Sequence, residues 1–144
     1  MNATWDPIMM RRILVATDGS PYSLKAADYA SKLARELDSR VSILHVSTYL
    51  PHVRARELVQ IEERTGADIL SRTKGVFDKE GVPVEVMKLE FGHPADVICS
   101  VAEKEGFDLI VLGEKGTGEV ERFLLGSVAD RVVHHAACPV LVVR

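Results

Sequence analysis

Short runs of consecutive apolar residues alternate along the chain with stretches in which apolar residues recur every three or four positions. The runs begin at Ile13, Leu109 and Val140; a segment from Val41 to Val46 is also mostly apolar, and a less regular one spans Val82 to Leu89. Uninterrupted apolar runs are typical of strands covered on both faces, whereas the longer spacing is typical of amphipathic helices. Five strands alternating with four helices predict an α/β fold, in which a mostly parallel sheet carries helices on both faces.

Prolines and glycines mark the boundaries of the predicted helices. Helices begin at Pro21 and Pro94, and the longest helix runs from Arg54 to Lys79, ahead of Gly81. The apolar spacing predicts one buried face on the longest helix, made of Leu58, Ile61, Thr65, Ile69, Thr73 and Val76. In the last helix the apolar spacing predicts four residues that face inward, namely Ala129, Val132, Val133 and Ala136.

The third strand, Val82 to Leu89, alternates apolar and polar residues imperfectly, as a half-exposed strand near the edge of a sheet does.

The most apolar strands, the first and the fourth, are predicted to be the central ones and neighbours. Since ligands of an open parallel sheet bind at the carboxyl ends of its strands, the loops after these two strands are predicted to face each other across a ligand site.

Length and composition limit the possible functions. A chain of 144 residues fits one domain, predicted from residue 11 to residue 144 behind a flexible extension of residues 1 to 10. The net charge of -3 argues against a nucleic-acid partner, and no apolar run approaches the length of a membrane span.

The two cysteines, Cys99 and Cys138, give no disulfide framework, and residues 1 to 10 lack the apolar core of a signal peptide. We therefore expect a reducing, cytoplasmic location. Both thiols are interpreted as inert small residues rather than nucleophiles. The five histidines show no metal-ligand spacing.

The segment after the fourth strand carries the most informative pattern. Gly113 and Gly116 would let the backbone approach a ligand or take positive φ angles, and Gly126-Ser127 opens the last helix, whose N–H groups and dipole favour an anion such as phosphate. Two basic residues would add local positive charge, Lys115 and Arg122. The alternative is that the glycines only shape a surface loop and that Ser127 only caps the helix.

The same segment resembles the universal stress protein family. That family carries Gly, two residues, Gly, nine residues, then Gly and Ser or Thr, which here are Gly113, Gly116 and Gly126-Ser127. The resemblance extends from Arg11 to Arg144. Further landmarks follow in the family's order, namely Ala16-Thr17-Asp18-Gly19-Ser20, Leu44-His45-Val46, Gly92-His93-Pro94, the run from Phe107 to Gly113, and the run from Cys138 to Val143.

The resemblance implies a function and a site. In the family this glycine motif is associated with the subset that binds ATP, so a stress-response or signalling module that binds ATP or AMP is expected, with Mg²⁺ as a companion ion. It also implies the sheet order 3-2-1-4-5 and a homodimer that pairs through the last strand, Val140 to Val143. Together with the loops singled out above, it gives ten predicted nucleotide-binding residues: Thr17, Asp18, Val46, Leu112, Gly113, Lys115, Gly116, Gly126, Ser127 and Val128.

Glu114-Lys115 departs from the family, whose members commonly have a small hydroxyl residue followed by His or Arg at these positions. A carboxylate near a triphosphate repels it unless a cation intervenes. Three alternatives remain open: Glu114 points to solvent, pairs with Lys115, or weakens ATP binding and favours AMP.

Asp18 also has two interpretations. As a ligand contact it would meet a ribose hydroxyl, the adenine edge or a nucleotide-bound Mg²⁺ ion, because hard cations prefer carboxylate and phosphate oxygens. As a structural residue it would cap the helix that begins at Pro21.

A binding module is the preferred functional interpretation, because no sequence-local Ser-His-Asp arrangement, catalytic carboxylate pair or Gly-Lys-Ser phosphate loop occurs. One alternative is a slow Mg²⁺-dependent ATP hydrolase or phosphotransfer enzyme, with Asp18 holding the metal and Lys115 steadying the phosphates. Another is a dimeric scaffold that binds no nucleotide. The apolar link from Tyr49 to Val53 is a further candidate for covering the ligand.

Overall fold

The structure is a computed structural model that describes residues 10–48, 52, 55–116 and 124–144. Strands and helices alternate along these ranges as the sequence predicts. They are β1 (Arg12–Ala16), α1 (Pro21–Leu37), β2 (Arg40–Ser47), α2 (Arg56–Lys79), β3 (Val84–Phe91), α3 (Pro94–Lys104), β4 (Leu109–Gly113), α4 (Ser127–His135) and β5 (Val140–Val143). The predicted start of α2 at Arg54 lies outside the described residues, and β3 runs two residues later than predicted.

The strands form a parallel sheet in the order β3-β2-β1-β4-β5, which confirms the predicted fold class and strand order. At its centre, Val15 of β1 is in register with Ile43 of β2 on one side and with Val111 of β4 on the other. The order of the strands reverses between β1 and β4. The carboxyl ends of these two strands therefore lie side by side at the switch point, where open parallel sheets bind ligands.

A hydrophobic layer lies on each face of the sheet because successive strand residues point to opposite faces. In β1, Ile13 and Val15 belong to one layer, with Phe77 of α2, whereas Leu14 belongs to the other, with Ile98 of α3. Burial on both faces explains why the central strands are continuous apolar runs rather than alternating ones.

Helix α1 approaches the sheet closely because its inner face consists of small residues. Ala26, Ala27 and Ala30 are fully buried. At its first turn, a Cβ atom on Gly113 would lie 2.8 Å from the carbonyl carbon of Tyr22, so β4 can end against α1 only with glycine at this position. This contact fixes the start of α1 relative to the loop that follows β4.

Helix α2 buries a different set of residues from the predicted one. Its buried residues are Gly66, Ile69, Leu70, Thr73 and Phe77. Leu58 and Ile61 are 49% and 52% exposed, and Thr65 is exposed, so the prediction is wrong for the first half of the helix. At about 1.5 Å per residue the helix is about 36 Å long, whereas an eight-residue strand such as β2 spans about 26 Å and cannot cover all of it.

Two smaller features of the sequence pattern had different outcomes. Val133 of α4 is 46% exposed, so its predicted inward orientation is wrong; Val132 and Ala129, three residues apart, occupy the inner face of this short helix. Strand β3 is half exposed as predicted, with Val86 and Met87 turned to solvent at 39% and 44%.

The amino-terminal extension predicted for residues 1 to 10 lies outside the described residues except for Met10, which packs against the layer that contains Ile13. Across the described ranges, no helix combines the length and apolarity needed to cross a membrane.

The burial difference along α2 gives a stability test. Phe77→Ala removes a side chain with no exposed surface and should lower the free energy of unfolding by about 3–5 kcal/mol, whereas Leu58→Ala should change it by less than about 1 kcal/mol. Urea unfolding at one fixed protein concentration measures both. Similar losses in the two variants would contradict the assignment of the buried face.

Candidate functional site

A cavity of about 440 Å³ opens at the carboxyl edge of the sheet, where β1 and β4 lie side by side. This volume falls in the range of small-molecule sites, which runs from about 300 to 1,000 Å³. The structure brings all ten predicted site residues to its walls: Thr17, Asp18, Val46, Leu112, Gly113, Lys115, Gly116, Gly126, Ser127 and Val128.

The sequence interpretation missed part of the lining. Pro94 and Ile98 of α3 and Ala129 of α4 also line the cavity, as do Ala16, Ser23, Leu44 and Thr48. Ala129 was predicted to point inward, but periodicity does not distinguish a side chain that faces the core from one that faces a cavity. Thr48 carried a usable signal, because it follows β2 at the same edge of the sheet.

The loop between β1 and α1 is held by a cluster of buried hydroxyl groups. Thr17 Oγ1 donates to Ser23 Oγ at 3.1 Å, lies 2.9 Å from Thr73 Oγ1 and accepts the N–H of Gly19 at 3.2 Å. Thr73 Oγ1 in turn donates to the carbonyl of Ile69 at 2.9 Å, so the cluster also links this loop to α2. Thr17 therefore positions the loop, and its side chain is committed to protein contacts.

Asp18 bridges the loops that follow β1 and β4. Its Oδ1 accepts the N–H of Ser20 at 2.9 Å, and its Oδ2 lies so near Gly116 that a Cβ atom there would be 2.7 Å away. The interpretation of Asp18 as the cap of α1 is wrong, because Ser20 is the N-cap and accepts the N–H of Ser23. A side chain at position 116 would therefore displace the Asp18 carboxylate.

The glycines of the motif make close contacts within the protein. Neither Gly113 nor Gly116 has a positive φ angle, so that expectation is wrong. Gly126 donates its N–H to the carbonyl oxygen of Glu114 at 2.9 Å, and a Cβ atom on Gly126 would lie 2.9 Å from the same oxygen. A substitution at Gly126 would therefore push apart the walls of the cavity before it filled the space inside.

The first turn of α4 faces the cavity through Ser127, Val128 and Ala129. The first backbone hydrogen bond of the helix runs from the N–H of Asp130 to the carbonyl of Gly126, so the preceding N–H groups lack intrahelical acceptors. Gly126 is the N-cap and no side chain caps the helix, so Ser127 is not a capping residue. This helix start has the geometry and the dipole that favour an anion.

Lys115, which lines the cavity, forms an ion pair with Glu114. The Lys115 Nζ atom lies 3.0 Å from Glu114 Oε1, and the two side chains are 5% and 17% exposed. Of the three alternatives for Glu114, the structure shows the pairing and excludes orientation toward solvent. Arg122 lies outside the described residues, as does the link from Tyr49 to Val53 except for His52.

The described residues contain no cluster of three or more His, Cys, Asp or Glu side chains that could hold a metal ion. Of the lining residues, Asp18 is the one that carries a carboxylate. A single carboxylate fits a Mg²⁺ ion that arrives with phosphate groups, because Mg²⁺ keeps several waters and accepts one or two protein carboxylates beside them.

Burial raises the pKa of both thiols, Cys99 and Cys138. A raised pKa leaves less thiolate near neutral pH, which lowers nucleophilic reactivity. Neither thiol lines the cavity.

Comparisons with known proteins agree on one family. Residues 9–144 match the model of the universal stress protein family. The chain is 39% identical to a universal stress protein of Methanocaldococcus jannaschii, over 94% of this chain and 83% of that protein.

Two solved structures extend the likeness to the fold. A universal stress protein in complex with cAMP is 26% identical, with a TM-score of 0.74 over 94% of this chain and 97% of that one. A universal stress protein from Archaeoglobus fulgidus in complex with dAMP is 25% identical, with a TM-score of 0.70 over 95% of this chain and 99% of that one.

The raised thiol pKa values give a labelling test. At pH 7.5 a disulfide reagent should label Cys99 and Cys138 more slowly in the folded protein than in guanidinium, and the folded rate should continue to rise with pH after the rate in guanidinium has levelled off. Absorbance of the released thiol measures both rates. Equal rates in the two states at pH 7.5 would show that the fold does not protect the thiols.

Proposed function

The chain belongs to the universal stress protein family, and on that premise we propose that it binds an adenine nucleotide in the cavity at the carboxyl edge of its sheet. The observation that carries the proposal is that one cavity joins apolar walls to the start of helix α4. A nucleotide has the same two parts, an apolar planar base and an anionic phosphate.

The apolar walls suit the adenine ring. Val46 and Leu112, the penultimate residues of β2 and β4, are 9% and 4% exposed, and Ile98 of α3, at 3%, lines the same cavity. Flat apolar surfaces of this kind bury a base, while backbone groups at strand ends are available to its polar edge. In this proposal the ring lies between the ends of β2 and β4.

The start of α4 suits a phosphate. Its first turn supplies backbone N–H groups and the positive end of the helix dipole, and Ser127 adds an exposed hydroxyl-bearing side chain. Asp18, on the opposite loop, is placed between base and phosphate and would accept from a ribose hydroxyl. ATP with Mg²⁺ and AMP both fit this description.

The two solved relatives support an adenine nucleotide as the ligand class, since one is in complex with cAMP and the other with dAMP. The lining supports binding rather than turnover. Among the described lining residues the charged side chains are Asp18 and Lys115; Asp18 already accepts the N–H of Ser20, and Lys115 is paired with Glu114.

We further propose that residues 11 to 144 form one cytoplasmic domain and that this domain pairs with a second copy through β5 in a stress-response role. Strand β5 is hydrogen-bonded to β4 on one side and ends the sheet order. Its Val140, Leu141 and Val142 are only partly buried in the single chain. An exposed apolar edge strand is a common site of strand pairing between subunits.

A negative charge introduced at the start of α4 tests whether the nucleotide phosphate binds there. Ser127→Asp should weaken binding of AMP and ATP by about tenfold or more, because a carboxylate would occupy the position of the phosphate. The stability of α4 should not fall, because an acidic residue in the first turn of a helix is favourable. Isothermal titration calorimetry measures the affinities.

Ser127→Asn is the matched control, because it has the same shape without the charge and should stay within about threefold of the original affinity. Unchanged affinity in Ser127→Asp would place the phosphate elsewhere.

Proline in β5 tests the dimer. The N–H groups of Ile110 and Glu114, in or just after β4, donate to the carbonyls of Pro139 and Val143, so these two residues of the β5 segment direct their backbone groups toward β4. Because successive residues of a strand alternate in direction, the even-numbered residues between them direct their N–H groups away from β4. Val142→Pro removes an outward donor and should turn a dimer into a monomer of unchanged helical content. Val142→Thr keeps the donor and should remain dimeric.

Sedimentation velocity measures the assembly state and circular dichroism measures the helical content. A dimer that persists in Val142→Pro would exclude pairing through β5.

A further inference from the structure

Glu114 pairs with Lys115, a lining residue of the cavity, and its backbone is held at two points. The N–H of Glu114 donates to the carbonyl of Val143 at 2.7 Å, and its own carbonyl accepts the N–H of Gly126 at 2.9 Å. The Glu114 backbone is thus fixed between the end of β5 and the start of α4. Glu114 therefore reaches Lys115 from a backbone position that is itself bonded to the start of α4.

Among the described lining residues, the pairing leaves Lys115 with little attraction for additional negative charge. Lys115 lines the cavity with 5% of its side chain exposed, but the Glu114 carboxylate 3.0 Å away balances its charge. Asp18 adds a carboxylate beside Gly116. For these three described side chains the formal charge sums to -1.

A first phosphate and additional phosphates meet different surroundings. The first phosphate would be stabilised by the N–H groups and dipole of α4, which do not depend on Lys115. Second and third phosphates would have to replace Glu114 as the ionic partner of Lys115. That exchange would leave a carboxylate unpaired at 17% exposure and close to other negative charges, which is unfavourable where screening by water is weak.

We propose that Glu114 determines the phosphate number that the site accepts: by neutralising Lys115 it makes the cavity selective for adenosine monophosphates over the triphosphate. This inference rests on the proposed nucleotide site and adds a specificity-determining residue to it.

Calorimetric titration of the full chain with AMP and with ATP, first in EDTA and then with Mg²⁺, tests the inference. The original protein should bind AMP more tightly than ATP. Glu114→Gln should release Lys115 and tighten ATP binding relative to AMP binding on the order of tenfold. Glu114→Ser repeats the test with a smaller side chain, so that the conclusion does not depend on how one variant folds.

Two further variants serve as controls. Glu36→Gln makes the same charge change in an exposed residue of the last turn of α1, about 20 Å along the helix from Ser23, and should leave the ATP to AMP affinity ratio unchanged. In Glu114→Gln/Lys115→Met the gain in ATP affinity should disappear, because the released ammonium group is gone. A gain that persists in the double variant would overturn the role of the pair.

Two other results would overturn the inference about Glu114 and leave the proposed function standing. One is AMP binding with an ATP to AMP ratio that Glu114→Gln and Glu114→Ser do not change. The other is weaker Mg²⁺-ATP binding in both variants, which would make Glu114 a contributor to metal-nucleotide binding. Absence of binding by AMP and ATP to the original protein and to every variant would overturn the proposed function itself.

Discussion

The site depends on the burial of strand β1 between β2 and β4. Ile13, Leu14 and Val15 have no exposed surface, and helices cover both faces of the strand, so β1 has no room to slide or tilt. The order of the strands reverses beside it, which leaves the carboxyl ends of β1 and β4 adjacent and their loops opposed. The cavity is the space between those loops, and its shape is set by the core beneath it.

Close contacts between backbone segments then fix the walls. Gly113 lies against the backbone of Tyr22, and Gly116 lies against the carboxylate of Asp18. Gly126 lies against the carbonyl of Glu114. The contacts of Gly113 and Gly116 join the β4–α4 segment to α1 and to the loop before it, and that of Gly126 joins the two ends of the segment. Gly113 and Gly126 meet backbone atoms that a side chain would displace, and the anion-binding capacity arises from the helix start that these contacts position.

The sequence predicted the sheet well because continuous apolar runs in β1 and β4 have few explanations other than burial on both faces. It failed at Leu58 and Ile61 because periodicity identifies a face of α2 but not whether any element covers it. It located the ten lining residues through the strand ends and the resemblance. It could not show that the Thr17 hydroxyl contacts Ser23, Thr73 and Gly19, because those contacts depend on tertiary structure.

The most direct test of the central claim is a titration of isotope-labelled protein with AMP, followed by backbone amide NMR. The account predicts saturable shifts confined to the end of β2, the loops after β1 and β4, and the first turn of α4, with the largest changes at Ser127, Val128 and Ala129. Absence of saturable shifts, or shifts centred on the outer surface between α3 and α4, would contradict it.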